Sequence, residues 1–325
     1  MQKEIKEIIK IINENDNFLV VGHVGADGDS IGSVTALTRL LKREMKTARA
    51  YLNRDTLAPF SFLGVKEDFF YTDSEKLKEE MTAEEFILIT LDSGTLERVD
   101  LDQELIDSAK YIINIDHHED NSLFGKINLV EADRAAVGEI IYNFAAEIIG
   151  KALSLNIAEP LATAIITDTG ALRYENTSSR VLRILAELMD AGVDIYKINK
   201  KIFGSLSYKA LVLKGLALAT LNRSEDGKIA WLYVSRQMMH EAETDYTEGL
   251  VSLARDIEDV EIGILFTEEE EKEIKVSLRS NFYAEVNKLA AEFDGGGHPR
   301  AAGATVEKTL KETIDSVVEA AKKYV

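Results

Sequence analysis

The sequence predicts an α/β protein: an N-terminal doubly wound, mostly parallel sheet domain, a helical connector and a smaller C-terminal α/β domain, with the active-site cleft between the two domains. Two observations predict it. In the first half, three short segments, 18–22 (FLVVG), 86–91 (FILITL) and 111–115 (YIINI), are apolar on both faces and alternate with helical patterns. Strands apolar on both faces are what a helix-covered parallel sheet requires. In the last third, 228–234 (KIAWLYV), 261–266 (EIGILF) and the alternating 273–279 (EIKVSLR) read as strands of a second sheet. A length of 325 residues agrees with two domains at roughly 100–200 residues each.

The elements follow in chain order. The mixed-charge start opens an amphipathic helix and lacks the features of a leader peptide. Helical patterns span 31–46 and 138–149, between and after the first strands. The segment 161–167 reads as a helix ending near Asp168, because Pro160 fits the first helical position and Gly170 a C-terminal cap. Helix then dominates from 178 to about 218. The run Glu268 to Glu271, between two expected strands, reads as a solvated hairpin turn. The expected boundaries are 1–185 for the first domain, 186–214 for the connector and 215–325 for the second domain.

Composition excludes several functions. There is no cysteine, so disulfides, thiolate metal sites and a cysteine nucleophile are ruled out. No apolar run approaches the ~20 residues of a membrane span, and a cytoplasmic protein is expected. Asp and Glu total 57 against 38 Lys and Arg, a net charge of −19. A protein that grips long duplex by its phosphates carries a basic surface, and this one does not. If the substrate is a phosphate, the positive charge must be local, from bound metal ions or a few arginines.

The three N-terminal strands end in acid and histidine. His23, Asp27 and Asp29 follow the first, Asp92 the second, and Asp116, His117 and His118 the third. In an open α/β sheet the loops at the carboxyl ends of the strands line one crevice, so these groups should converge, with Asp168 arriving at its helix end. Singly, each has an ordinary role: Asp29 or Ser30 as a helix N-cap, Asp27 as a turn residue, Asp92 as a strand stop. Jointly those roles do not suffice. Three of the chain's five histidines sit there beside carboxylates, and so many acids in one crevice cannot all stay ionised without a cation. Imidazole and carboxylate without thiolate suit Mn²⁺, Zn²⁺ or Fe²⁺ better than Ca²⁺. Paired divalent ions are a common device for phosphoester hydrolysis. A rival pattern, Gly28-Asp29-Ser30-Ile31-Gly32, fits a serine-hydrolase nucleophile elbow with Ser30 as nucleophile, but leaves His23, Asp27, Asp92 and Asp168 unexplained. In the last third, Gly295, Gly296 and Gly297 before His298 and Arg300 suit a backbone nest for a phosphate, or a tight turn before a helix.

With Asp116-His117-His118 as the namesake motif, the chain resembles the DHH phosphoesterase superfamily, in the branch with the DHH-associated C-terminal domain. His23, Asp27 and Asp29 match its first motif, Asp92 its second and Asp168-Thr169-Gly170 its fourth. The stretch from Gly295 through Arg300 to Gly303 matches the glycine-rich signature of the C-terminal domain. Within the branch the chain is most similar to the stand-alone nanoRNase/pAp phosphatases. It departs in Ala26 where the family has proline, in Asp294 where the glycine run often begins, and in Ala136-Val137-Gly138-Glu139, which lacks the usual Ser/Thr before that glutamate.

The resemblance implies two divalent ions, with Mn²⁺ first among the candidates. It gives His23, Asp27 and Asp92 to one ion and Asp29, Asp92, His117 and Asp168 to the other. Asp116 and His118 become the catalytic pair: Asp116 orients an imidazole or supports the ligand network, and His118 stabilises the phosphate or protonates the leaving oxygen. Gly295, Gly296, Gly297, His298, Arg300, Arg279 and Ser280 become substrate contacts. The implied substrates are very short single-stranded RNA and dinucleotides, degraded to mononucleotides, and 3′-phosphoadenosine 5′-phosphate (pAp), dephosphorylated to AMP. A cyclic di-AMP or linear dinucleotide phosphodiesterase would share every motif, and a non-catalytic nucleotide sensor would share the ligands. Neither long duplex nor membrane is an expected partner, and a homodimer is left open.

Overall fold

The computed structural model describes residues 2–66, 68–81, 85–150, 153–204 and 206–325. The chain forms two compact units, Met1–Ser205 and Leu206–Val325. In the first, β1 (Asn17–Val21), β2 (Thr47–Tyr51), β3 (Phe70–Tyr71), β4 (Ile87–Leu91), β5 (Tyr111–Asp116) and β6 (Ile127–Val130) form one sheet in the order β3-β2-β1-β4-β5-β6. Every pairing in it is parallel. Alternate residues of β1 explain why its sequence is apolar throughout. Phe18 and Val20 enter one core with the Gly28–Arg43 and Leu155–Asp168 helices, whereas Leu19 and Val21 enter another with Leu77, Met81, Leu105 and Ile106. Layers on both faces make the sheet doubly wound. The strand order reverses between β1 and β4, and a crevice opens outside the carboxyl ends of the strands at such a switch point.

Two helices position the site. Asp27 caps the Gly28–Arg43 helix, its Oδ1 accepting the N–H groups of Asp29 (3.0 Å) and Ser30 (3.1 Å). The expectation that Asp29 or Ser30 caps this helix is corrected accordingly. The Leu155–Asp168 helix ends as expected: Gly170 takes φ +55°, and the Gly170 and Ala171 N–H groups return to the Thr167 and Ile166 carbonyls. Its start differs. Pro160 is the sixth residue of the helix, which begins at Leu155 behind Ser154. Proline has no N–H for the Asn156 carbonyl one turn back, and the Arg39 guanidinium donates to that carbonyl instead, at 2.9 Å. The two helices pack so closely that a Cβ on Gly32 would lie 2.5 Å from the Pro160 carbonyl oxygen.

In the second unit, β7 (Asn222–Arg223), β8 (Ile229–Val234), β9 (Ile262–Glu270), β10 (Glu273–Ser280), β11 (Gly296–His298) and β12 (Ala301–Val306) form a mixed sheet in the order β11-β12-β10-β9-β8-β7. The β8–β9 pair is parallel and the others antiparallel. The glutamate run is not itself the turn: Glu268, Glu269 and Glu270 extend β9, with a bulge, and only Glu271 and Lys272 turn. Charged strand ends are tolerated there because their side chains reach water. In the sequence linking the two sheets, the Ser179–Asp190 and Ile195–Ile202 helices bury Val181, Leu185, Leu188 and Ile198 in the first unit, and the Tyr208–Leu218 helix buries Leu213 and Ala217 in the second.

Candidate metal centre and catalytic site

The groups expected to converge in the first unit do so at the β1/β4 switch point. His23 lies two residues past the end of β1, Asp92 follows the last residue of β4, Asp116 is the last residue of β5, and His117 and His118 come next. Asp92 has φ +58°, a left-handed conformation that Asp tolerates better than most residues but that still costs about 1 kcal/mol. It is pinned there by its N–H to the Ile115 carbonyl at 3.1 Å.

Three sets of ligand atoms each lie within 4.8 Å of one another: His23, Asp27 and Asp92; Asp29, His117 and Asp168; and Asp92, His117 and His118. Asp92 stands in the middle. Its Oδ2 is 3.4 Å from His23 Nε2, and its Oδ1 is 3.5 Å from His117 Nε2. His117 Nε2 is also 3.5 Å from Asp168 and 3.9 Å from Asp29, while Asp27 lies 3.9 Å from His23 Nε2.

Backbone contacts aim the rings. His23 Nδ1–H donates to its neighbour's carbonyl at Val24 (2.9 Å), and His117 Nδ1–H donates to the Arg134 carbonyl (3.2 Å). Both Nε2 atoms are thereby aimed into the carboxylate cluster. His118 is held the other way, its Nδ1 2.8 Å from Asp116 Oδ1. Asp116 is fully buried, and Asn121 donates to its second oxygen at 2.6 Å.

The charges of this cluster do not balance by themselves. Burial, reinforced by the charges of Asp92 and Asp168, holds Asp29 well above the usual carboxylate range. Burial, with Asp27 and Asp92 nearby and His117 opposing, pushes Asp168 up to about 7. Burial disfavours the protonated form of His23, but Asp27 and Asp92 outweigh it and push His23 up to about 10. His117 is pushed up to about 11, burial again being outweighed by Asp92, Asp29 and Asp168. The cluster therefore retains protons where cations would otherwise balance the acids. Buried carboxylates and lone-pair-bearing imidazoles in mutual reach fit divalent cations.

Residues with no conspicuous sequence signal support the centre. Asp29 accepts the Val137 N–H (2.6 Å), the Gly138 N–H (2.9 Å) and the Ser33 hydroxyl (2.9 Å). The Val137–Ile149 helix has Ala136 at its cap position and no cap from that side chain, so Asp29 does the work of the missing Ser/Thr. Glu139, fully buried, pairs with Arg134 and Arg180 and accepts the Ala135 N–H at 3.1 Å. That clamp fixes the turn whose Arg134 carbonyl orients His117. Asn114 gave one readable clue, a polar residue within an apolar strand. It donates to Thr90 Oγ1 and to the Ser93 carbonyl, each at 3.1 Å, and accepts from Asn121 at 2.8 Å.

The serine-hydrolase alternative is overturned. Ser30 is fully buried, and its hydroxyl faces the backbone N–H of His23 at 3.4 Å, not an imidazole. In the second unit the glycine run is a β-hairpin, neither a nest nor a turn before a helix. The Gly295 N–H already donates to the Ala290 carbonyl, and a Cβ on Gly297 would lie 2.6 Å from the Ala301 carbonyl oxygen. Gly295 and Gly297 serve close approach of β11 to β12. His298 and Arg300 are exposed at its tip, Arg279 is half-buried, and Ser280 is buried with its hydroxyl donating to the Ala284 carbonyl at 2.6 Å.

Residues 17–165 match the N-terminal domain of the DHH family, and residues 226–325 match the DHHA1 domain. Over 98% of this chain and 92% of the relative, it is 32% identical to the bifunctional oligoribonuclease and PAP phosphatase NrnA of Thermus thermophilus. The Bacillus subtilis protein of the same name is 28% identical, over 92% of each chain. An exopolyphosphatase-related protein of Bacteroides fragilis, solved by crystallography, superimposes with a TM-score of 0.91 at 26% identity, covering 100% of this chain and 97% of that one. Carboxylates and imidazoles gathered at a parallel-sheet switch point, together with similarity along almost the whole length, make this chain a member of the DHH family of phosphoesterases, in the branch that carries a DHHA1 domain.

Proposed function

We propose that the protein is a two-metal phosphoesterase that hydrolyses very short oligoribonucleotides to mononucleotides and converts pAp to AMP. The observation that carries the reading is Asp92 facing His23 and His117 with opposite oxygens, at 3.4 and 3.5 Å. That disposition suits one carboxylate shared by two ions. Relatives named for both activities, similar over nearly the full length, support the choice of substrates.

His23, Asp27 and Asp92 would hold one ion, and Asp29, Asp92, His117 and Asp168 the other. Mn²⁺ is the first candidate by the family resemblance, and the carboxylate and imidazole donors suit it, as they suit Zn²⁺ and Fe²⁺. Divalent ions at such a site neutralise phosphate oxygens and lower the pKa of water toward ~7. The chain's own chemistry centres on His118. Its hydrogen bond to Asp116 raises its pKa, with burial opposing. With Nδ1 anchored on Asp116, Nε2 is the end that delivers a proton to the leaving oxygen. The second unit holds substrate through His298, Arg300, Arg279 and the glycine hairpin. Ser280, its proton committed to Ala284, contributes only as an acceptor or through its backbone. An overall charge of −19 disfavours long nucleic acid.

The test is turnover of pAp, a linear dinucleotide, a five-nucleotide RNA and cyclic di-AMP, side by side with Mn²⁺ and after chelation. Higher kcat/KM for pAp and the linear RNAs, abolished by chelator, is expected. Preference for cyclic di-AMP, or activity that survives chelation, would overturn the reading.

A further inference from the structure

The loop after β10 presents two aromatic rings to water on a backbone that is held with unusual care. Phe282 and Tyr283 are 74% and 59% exposed. Directly beneath them Glu261, only 2% exposed, accepts three consecutive N–H groups on Oε1: Phe282 at 3.1 Å, Tyr283 at 2.7 Å and Ala284 at 2.7 Å. Asn281 anchors the start of the loop, donating to the Arg255 (2.9 Å) and Val260 (2.8 Å) carbonyls. Burying a carboxylate is costly, and here its oxygens are committed to fixing one loop. Both ends of the loop are also tied to the β11–β12 turn. The Ser280 N–H donates to the Arg300 carbonyl at 3.1 Å and the Val286 N–H to the Pro299 carbonyl at 2.8 Å. The backbone carrying the two exposed rings is thus fastened to the turn that carries His298 and Arg300. Rings beside positive charge match the alternation of bases and phosphates in a single strand.

We propose that Phe282 and Tyr283 form a nucleobase-stacking subsite for short single-stranded oligoribonucleotides, adjoining the phosphate-binding turn at His298 and Arg300. The proposal rests on the oligoribonucleotide reading above and adds to it the residues that contact the bases. Two side chains with few rotatable bonds, on a loop held by Glu261, lose little freedom when a base stacks on them. The loop supplies affinity for any base, without hydrogen-bond readout of its identity.

The full chain, free of metal, is titrated with a dinucleotide carrying 2-aminopurine, whose fluorescence falls on stacking, and with a dinucleotide of the same length lacking that base. The wild type is expected to quench the probe and to prefer it over the abasic dinucleotide. Phe282→Ala combined with Tyr283→Ala should remove the quench and reduce that preference by about 5- to 100-fold, the range of one stacked base. Phe282→Trp should retain the quench. Undiminished preference in the double variant, or equal loss of affinity for both dinucleotides, overturns the subsite. So does a dimer, seen by sedimentation, that the double variant disperses while preference persists. The substrate reading fails separately. A Mn²⁺-loaded wild type that cleaves no short RNA but still quenches the probe refutes that reading and leaves the subsite standing.

Discussion

The strand ends of the two units handle charge in opposite ways. Around the ends of β1, β4 and β5 the candidate centre is largely withdrawn from solvent: Asp29 and Asp116 are fully buried and Asp92 is 4% exposed, while Asp27 at the rim is exposed. At the end of β10 and on the β11–β12 turn, His298, Arg300, Phe282 and Tyr283 stand in water. Yet each region contains one buried carboxylate fastened to consecutive backbone N–H groups, Asp29 on Val137 and Gly138, Glu261 on residues 282–284. Small cations demand donors fixed by packing, because a displacement of a few tenths of an ångström loses a ligand. A flexible polymer does not. For it, a fixed backbone with exposed side chains suffices.

Asp92→Asn is the most damaging change on this view. Asn keeps the left-handed backbone at that position but removes the charge shared between the imidazoles. Activity should fall by more than about 100-fold, beyond what the loss of a supporting residue costs, with circular dichroism unchanged. A loss below tenfold would remove Asp92 from the centre.

Metal affinity should climb with pH. His23 and His117 hold protons up to about 10 and 11 in the absence of cations, so binding must expel both. Between pH 7 and 9 each ion, which displaces one imidazole proton, is expected to bind about 10-fold more tightly per pH unit, and the dependence should steepen below 7 for the ion that Asp168 also holds. Calorimetry in buffers of different ionisation enthalpy counts the protons, and a count near zero contradicts the imidazole ligands.

Asp116→Asn should be milder, about 10- to 100-fold in kcat. It withdraws the charge that raises the His118 pKa. The protonated ring then survives only to lower pH, and the alkaline limb of the pH–kcat profile should move down. An unmoved limb would deny His118 the role of acid.

Gly295→Ala is the gentlest of the four. Its Cβ would collide with the Gly303 carbonyl across the hairpin, displacing β11. KM should rise several-fold while Mn²⁺ affinity measured by calorimetry stays as it was. Equal changes in both would argue against separate tasks for the two units.

The strands β1, β4 and β5 of the first unit were readable because a parallel strand covered on both faces admits almost no polar residue. The exceptions therefore cluster at the strand ends, where His23, Asp92 and Asp116 stand. The strands β2, β3 and β6 were not legible, being short or only half-buried. Asp27 and Asp29 were readable as acids near the site, but not the division of labour between them. Which one caps its own helix, and which caps the helix starting at Val137, depends on packing across 108 residues of sequence. Glu139, Arg134 and Arg180 were opaque for a like reason, since an ion network carries no periodicity. The glycine run was legible as a special backbone, but a nest and a close-packed hairpin ask for the same residue. Only the partner strand decides between them.

Pro160 sits where a helix ordinarily rejects proline, and Arg39, far away in the chain, answers the carbonyl it orphans. Arg39 also donates to the Leu63 (2.9 Å) and Gly64 (3.2 Å) carbonyls, so the two substitutions are unequal. Losing the arginine leaves three carbonyls without that donor, whereas replacing the proline with alanine restores an N–H for Asn156 and leaves the arginine's other two bonds in place.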